Sequence, residues 1–292
     1  MVQSAEKWVR RHRRIRKIAG KITRFPAFLR RETNYKFIDF KEWLSGQKDD
    51  LVPPMRMRRL VGPENSYRDA GDEFLKIFID IGGLKPNDRV LDVGCGMGRM
   101  ARALATYLNK QGSYEGFDIV EKEIRWANRA FESRFPNFHF QLADMYNKEY
   151  NPKGRFKASE YRFPYYDNSF DFVFLTSVFT HMLPEDMENY FAEISRVLKS
   201  QGRCLISCFL LNENSLKQIG TKDSLMNFQY EIDGYRTVNK ERPEAAIAYF
   251  EKTMLGYFNR NKLKVDGPIH YGSWCKSKSP LTFQDVVVSI KQ

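Results

Sequence analysis

The run Val90-Leu91-Asp92-Val93-Gly94-Cys95-Gly96-Met97-Gly98-Arg99 reads as a short apolar strand that ends in a glycine-dense turn and enters a helix. Val, Leu and Val favour a buried strand. The alternating glycines remove each Cβ where the chain bends tightly and where a ligand approaches the backbone. A helix expected from Arg99 to about Asn109 then offers its free first-turn amides to whatever lies over the turn. The glycines stand at 94, 96 and 98, a G-x-G-x-G spacing, whereas a dinucleotide fingerprint needs its third glycine where this chain has Arg99. That speaks against a pyrophosphate ligand. Asp92, inside the strand just before the turn, suits a ligand with a cationic amino group. Taken alone, such a turn also serves as a plain strand-to-helix connection.

Further strand and helix signals follow in alternation. Ser113 to Ile119 reads as a second strand with Asp118 near its end, where a carboxylate can accept from two ribose hydroxyls. Phe138 to Leu142 is a third strand, closed by Ala143-Asp144-Met145, and Phe170 to Leu175 a fourth, followed by Thr176-Ser177-Val178-Phe179-Thr180-His181. Apolar spacing at Tyr190, Phe191, Ile194, Val197 and Leu198 predicts a helix leading through Gly202 into a fifth strand, Arg203 to Leu210. Such repetition implies an α/β fold: a Rossmann-like, doubly wound sheet, mostly parallel, with its ligand crevice at the strand C-termini.

The glycine turn, together with Phe163-Pro164-Tyr165-Tyr166-Asp167-Asn168-Ser169-Phe170-Asp171 and Ile194 to Gly202, resembles the class I S-adenosylmethionine-dependent methyltransferases, in their small-molecule branch. The resemblance is strong over about residues 65–212. It departs at Gln201-Gly202, where the family usually has two glycines, and Gly202 is expected to take the left-handed conformation. The resemblance implies S-adenosyl-L-methionine as cofactor. Gly94, Gly96 and Gly98 would lie under its methionine portion, Asp92 close to its amino group, Asp118 at the ribose, and Phe117 and Ile119 beside the adenine. Asp144 would accept from the adenine amino group, Met145 would pack on the ring, and Thr176 would complete the cofactor-facing set. Phe117 and Ile119 are equally well read as strand core, whereas rim acids at both 118 and 144 are hard to explain by packing.

The implied reaction is an in-line methyl transfer, accelerated mainly by positioning and exclusion of water. A hydroxyl acceptor needs a base, and a neutral imidazole beyond the fourth strand suits that task, which makes His181 the first candidate and His270 the second. Either ring also reads as a hydrogen-bonded structural histidine. The fourth strand is not followed by Asn-Pro-Pro-Tyr or Asp-Pro-Pro-Tyr, the device with which the resembled family usually holds the planar amino group of a base, so the resemblance implies that such an amine is disfavoured as acceptor. No set of clustered acids with an Asn at the crevice can be assigned, and no metal is expected. The expected acceptor is a hydroxyl of a small molecule, a sugar or a lipid-linked glycan. The competing readings are a noncatalytic adaptor that keeps the fold and docks on membrane or RNA, and an NAD-dependent enzyme.

Residues 1–36 hold twelve Lys or Arg against Glu6 and Glu32, so most of the chain's formal charge of +12 is concentrated there. Trp8, Ile15, Ile18, Ile22 and Phe25 fall on one side at helical pitch, and Arg10, Arg13, Arg16, Lys17 and Arg24 on the others, until Pro26 ends the pattern. This arm, residues 1–50 in the expected division, reads as an amphipathic helix whose residues 1–31 lie on an anionic membrane surface. Packing on the catalytic body or a second copy, RNA binding and a removable targeting segment are the alternatives. Residues 51–292 are expected to form the methyltransferase domain, with 212–242 a cap over the acceptor site, Pro243 to Asn261 a helix, and Lys264 to His270 and Thr282 to Ile290 the closing strands. Four cysteines form no disulfide framework. Cys204 and Cys208 would stand about 13 Å apart along a strand. A reducing, cytoplasmic setting is expected, peripheral at the inner face of a membrane.

Overall fold

A computed structural model describes residues 32–46, 49–58, 66–148 and 150–292. The chain divides into two compact units, Met1–Tyr67 and Arg68–Gln292. The expected arm helix lies outside the described residues. Within the first unit residues 32–44 are helical. Asp39 Oδ1 accepts from Met55 N at 2.8 Å, and the buried Arg58 guanidinium reaches Glu42 at 2.5 Å. Phe37, Phe40, Trp43 and Leu44 of this helix are exposed, with the rings of Phe40 and Trp43 stacked at 5.8 Å.

The strands in chain order are β1 (Arg89–Val93), β2 (Ser113–Asp118), β3 (Phe138–Leu142), β4 (Phe170–Leu175), β5 (Leu198–Cys208), β6 (Leu210–Leu211), β7 (Tyr230–Ile232), β8 (Tyr235–Thr237), β9 (Ile247–Phe250), β10 (Leu263–Val265) and β11 (Asp285–Lys291). The helices used below are α1 (Ser66–Asp80), α2 (Arg99–Leu104), α3 (Glu121–Phe131), α4 (Pro184–Val197), α5 (Glu213–Gln218) and α6 (Glu251–Arg260). The main sheet runs β10-β11-β5-β4-β1-β2-β3. Its five central and outer strands β5, β4, β1, β2 and β3 are parallel, and β11 and β10 are antiparallel. This is the Rossmann-like, doubly wound and mostly parallel α/β architecture expected from the sequence, with strand order reversing at β1 and β4.

Alternation along β4 shows why the sheet is covered on both faces. Phe172 and Phe174 meet Phe78 of α1, with ring centroids 5.6 and 4.4 Å apart. Val173 and Leu175 point the other way, into the cluster that holds Phe191 and Ile194 of α4. A second mixed sheet, β6-β9-β8-β7, stands beyond β5.

Several sequence expectations change, among them the start of the fifth strand, at Leu198 rather than Arg203, and the end of β10, at Val265 rather than His270. The helix placed from Pro243 begins only at Glu251, because Ile247-Ala248-Tyr249-Phe250 is a strand run, its first three residues buried, that pairs with β6 and β8. Helix α2 is six residues long rather than reaching Asn109. At the turn into β5 the left-handed residue is Gln201, with φ 63°, and not Gly202. Glycine is required at 202 for space: a Cβ there would lie 2.8 Å from Lys199 O and 3.2 Å from Phe170 O. All four cysteines are free.

Candidate active site

The glycine turn is built by backbone pairing across the strand ends. Val93 of β1 registers with Phe117 of β2, and the Phe117 carbonyl accepts from Gly94 N at 2.9 Å and Cys95 N at 3.1 Å. Gly94, Gly96 and Gly98 all have positive φ. Gly98 caps α2 from the left-handed region, which a Cβ would strain.

Asp118, at the end of β2, ties this turn to the next helix. Its Oδ2 accepts from Gly96 N and its Oδ1 from Val120 N, each at 2.9 Å. Burial lifts its carboxyl above the ordinary range, and those amide donors partly oppose the lift. Glu123, in the first turn of α3, stands behind Gly96, with Oε2 3.1 Å from where a Cβ would sit. Its carboxyl is pushed up to about 7, by burial first and by the Asp118 charge second. Asp92 is deeper still: buried, hydrogen-bonded through Oδ2 to Tyr114 Oη at 2.7 Å, and with Oδ1 lacking any hydrogen-bond partner.

The remaining predicted cofactor residues extend along the same rim. Ala143 N donates to Asp118 O at 2.9 Å, which brings the Asp144 backbone beside β2. The Asp144 carboxylate is bonded by Arg155 Nε and, at 3.2 Å, by Arg155 N; the guanidinium bond holds its pKa below the usual range. Met145 is buried, its Sδ accepting from Tyr190 Oη at 3.3 Å. Phe117 is buried against Phe163, centroids 4.9 Å apart, and Ile119 packs partly buried on the same cluster. On the other side of β1, half-buried Thr176 follows β4 and leads into Ser177, whose φ is 63°. Ser177 N donates to Ser207 Oγ at 2.9 Å, and both hydroxyls donate to Gln284 Oε1, at 3.1 and 2.7 Å. Such a network holds a non-glycine residue in a costly conformation. Neighbouring strands lie about 4.8 Å apart, so the row Thr176, Gly94, Asp118, Asp144 spans on the order of 15 Å.

His181 closes a 3₁₀ turn, Phe179–His181, directly beyond that loop. Its Nδ1 lies 2.8 Å from the carbonyl of Glu244, in the 3₁₀ turn Pro243–Ala245. A carbonyl can only accept, so Nδ1 carries the proton and a neutral ring keeps its lone pair on Nε2. His270 sits at the same end of the sheet through an isolated backbone bridge to Val286. Among the described residues no group of acids, histidines or cysteines is arranged to hold a metal ion.

Sequence reasoning passes over Tyr114, Glu123, Gln284 and the Glu244 carbonyl. Glu123 had a faint signal, an acid in the first turn of the helix after β2. The others act across 22, 107 and 63 residues of chain respectively, separations that no local pattern encodes.

Comparison with known proteins supplies the last observation. The family described as "Methyltransferase domain" matches residues 84–247. The 24-methylenesterol C-methyltransferase 2 of Arabidopsis thaliana is 30% identical over 169 residues, 58% of this chain and 40% of that protein. The 27-O-demethylrifamycin SV methyltransferase of Amycolatopsis mediterranei is 33% identical over 129 residues, 44% of this chain and 41% of that protein. The chain thus spans about two fifths of the length of each of these curated relatives. The crystal structure of the PH0226 protein from Pyrococcus horikoshii superposes with TM-score 0.53 at 18% identity, covering 78% of this chain and 92% of that one, which shows a shared fold.

Proposed function

This chain belongs to the S-adenosylmethionine-dependent methyltransferases of the methyltransferase-domain family, and from that membership we propose that it methylates a hydroxyl of a small-molecule, sugar or lipid-linked glycan acceptor. The rim residues fit the cofactor. The bare turn at Gly94, Gly96 and Gly98 admits its methionine portion, and the unpartnered Asp92 Oδ1 suits its ammonium group. In this reading Asp118 takes the ribose, Phe117 and Ile119 form the apolar flank, Asp144 and Met145 take the adenine, and Thr176 completes the cofactor-facing set. When bound, the cofactor supplies an electrophilic methyl group on a sulfonium whose positive charge disappears as the new bond forms.

The protein's own task is then to hold the acceptor oxygen in line, exclude water and take a proton. His181 does the last, at Nε2. The observation that carries this reading is the 2.8 Å bond from His181 Nδ1 to the Glu244 carbonyl, which fixes the ring and its tautomer at the crevice. His270 is the second candidate base. Acceptor choice falls to the second sheet and α5, within and around the expected cap, since relatives named for methylation at carbon and at oxygen are both similar to this chain.

Exposed Phe37, Phe40, Trp43 and Leu44 lie in the arm just beyond its basic stretch 1–36 and support a membrane-surface location for residues 1–31. No described helix is long and apolar enough to cross a membrane.

Incubation with methyl-labelled cofactor and fractionated cell extract tests the central reading by mass spectrometry of the labelled product. A product heavier by one methylene at oxygen is expected. Methylation only at nitrogen or carbon overturns the hydroxyl assignment, and cofactor binding without any product favours the adaptor reading. Sedimentation with anionic vesicles at low and high salt tests the arm; no binding at low salt removes the membrane reading.

A further inference from the structure

Tyr114 is the buried hydrogen-bond partner of Asp92, and the cofactor reading above gives it no task. They come from adjacent strands: β1 and β2 register Val90 with Tyr114 and Asp92 with Gly116. Gly116 makes the pair possible. A Cβ at that position would lie 2.8 Å from the Tyr114 hydroxyl and 2.9 Å from Cys95 Cβ, so its absence is the gap through which Tyr114 reaches Asp92 Oδ2 at 2.7 Å. Tyr114 is itself fixed by stacking on Phe138, centroids 5.1 Å apart. Its phenol is therefore held in one place by rings and aimed at one carboxyl oxygen.

The other oxygen, Oδ1, is buried and makes no hydrogen bond. A buried carboxylate left in that condition is costly, and protonation relieves the cost. The charged and titratable groups around it do little to help. Asp118, from the end of β2, repels a second negative charge; Arg99, at the start of α2, opposes that repulsion more weakly. Cys95 and Tyr165 face Asp92 with groups that stay neutral, their own pKa values raised by burial and by the surrounding acids. Glu123 stands beyond Gly96 and adds a further acid to the cluster.

We infer that Tyr114 is a positioning residue that presents Asp92 for proton exchange: the Asp92 carboxyl is protonated in the cofactor-free protein and releases that proton to solvent when the cofactor's ammonium group is bound. The inference rests on the cofactor reading given above. Only an O–H bond breaks, heterolytically; the carboxylate keeps the electron pair and pairs with the incoming cation. Burial, the largest effect, raises Asp92 to about 8, and the Tyr114 hydrogen bond pulls it back. Removing the phenol hydroxyl therefore leaves the proton bound to a higher pH, and binding must displace it at greater cost.

The test is titration calorimetry with S-adenosylhomocysteine, which keeps the amino group, in buffers of different ionisation heat, for the wild type, Asp92→Asn and Tyr114→Phe. At pH 7 the wild type is expected to release close to one proton more than Asp92→Asn. Tyr114→Phe is expected to bind about fivefold more weakly at pH 8, with the deficit shrinking as the pH rises to about 9.5. A deficit constant with pH marks a purely structural role and overturns the inference, as does equal proton release by wild type and Asp92→Asn. Should a variant not fold, the wild type alone decides: release that does not diminish between pH 7 and 9 overturns the proposal. Failure of the wild type to bind S-adenosylhomocysteine at all removes the cofactor reading itself, an outcome distinct from binding without proton release.

Discussion

Val178 Cγ2 lies 2.5 Å from the point where a Cβ on Gly94 would sit, so the loop after β4 presses against the turn after β1. The two crevice walls leave no room for a side chain there. Gly94→Ala adds both this overlap and the strain of φ 82°. Together these cost about 2–4 kcal/mol. Binding of S-adenosylhomocysteine by the alanine variant should weaken at least about tenfold, measured by calorimetry, while circular dichroism still reports a folded sheet. Unchanged affinity would contradict the placement of the cofactor over the turn.

His181→Ala removes the ring anchored on the Glu244 carbonyl. Loss of a general base lowers kcat by about 10² to 10⁴. Affinity for S-adenosylhomocysteine should stay close to the wild-type value, because the ring stands beyond the cofactor rim. Single-turnover methyl transfer compared with equilibrium binding separates the two effects; a small change in rate would pass the assignment to His270.

Arg196 of α4 holds the loop that enters β4. It donates to Glu193 at 2.6 and 2.8 Å, to Asp167 at 2.8 Å, and to the carbonyls of Phe163 and Tyr165 at 3.0 and 2.8 Å, while Glu193 accepts from Phe163 N at 2.7 Å. Arg196→Ala strands a mostly buried Glu193 and should cost about 3 kcal/mol. For a domain of this size that is about 6–12 °C in Tm by differential scanning calorimetry. A shift under 2 °C, on the order of 0.5–1 kcal/mol, would show that the network is replaced by solvent.

Glu123 supplies a pH dependence. Its carboxyl is raised to about 7 by burial and by Asp118, so its favourable, protonated contribution is complete below the unfolded value near 4.5 and is lost as pH climbs through 7. Glu123→Gln keeps the shape without the charge. Relative to wild type it should gain about 1 kcal/mol between pH 6 and pH 8, a figure reduced for partial solvent screening, as read from urea midpoints. An equal difference at both pH values would argue that Glu123 titrates normally.

Much of the sheet was legible because several parallel strands are short, mainly apolar runs with a sharp change of residue type at their ends: Val90 to Val93 before Gly94, Phe170 to Leu175 before Thr176-Ser177. The segment after the expected cap was not. Ile247-Ala248-Tyr249-Phe250 is too short a run to distinguish strand from helix by period, and only its pairing with β6 and β8 decides it. Likewise Gln201 rather than Gly202 adopts the left-handed turn, since the closer packing falls on residue 202. Of the candidate cofactor residues, Asp92, Asp118 and the three glycines are visible in the sequence by their spacing. Tyr114 does not, because its role depends on Gly116 leaving a hole opposite Asp92, a relation visible only across paired strands.

The position of β11 bears on how the protein is made. It is inserted between β10 and β5, and Gln284 and Asp285 at its start brace Ser177, Ser207, Leu210 and Trp274. Translation delivers this strand after every other element it holds together, so a nascent chain on the ribosome carries the parallel strands with one sheet edge and the turn at Ser177 unsupported. Such a chain has every incentive to delay closure until β11 emerges, and a stall within residues 270–284 should leave it sticky and protease-sensitive.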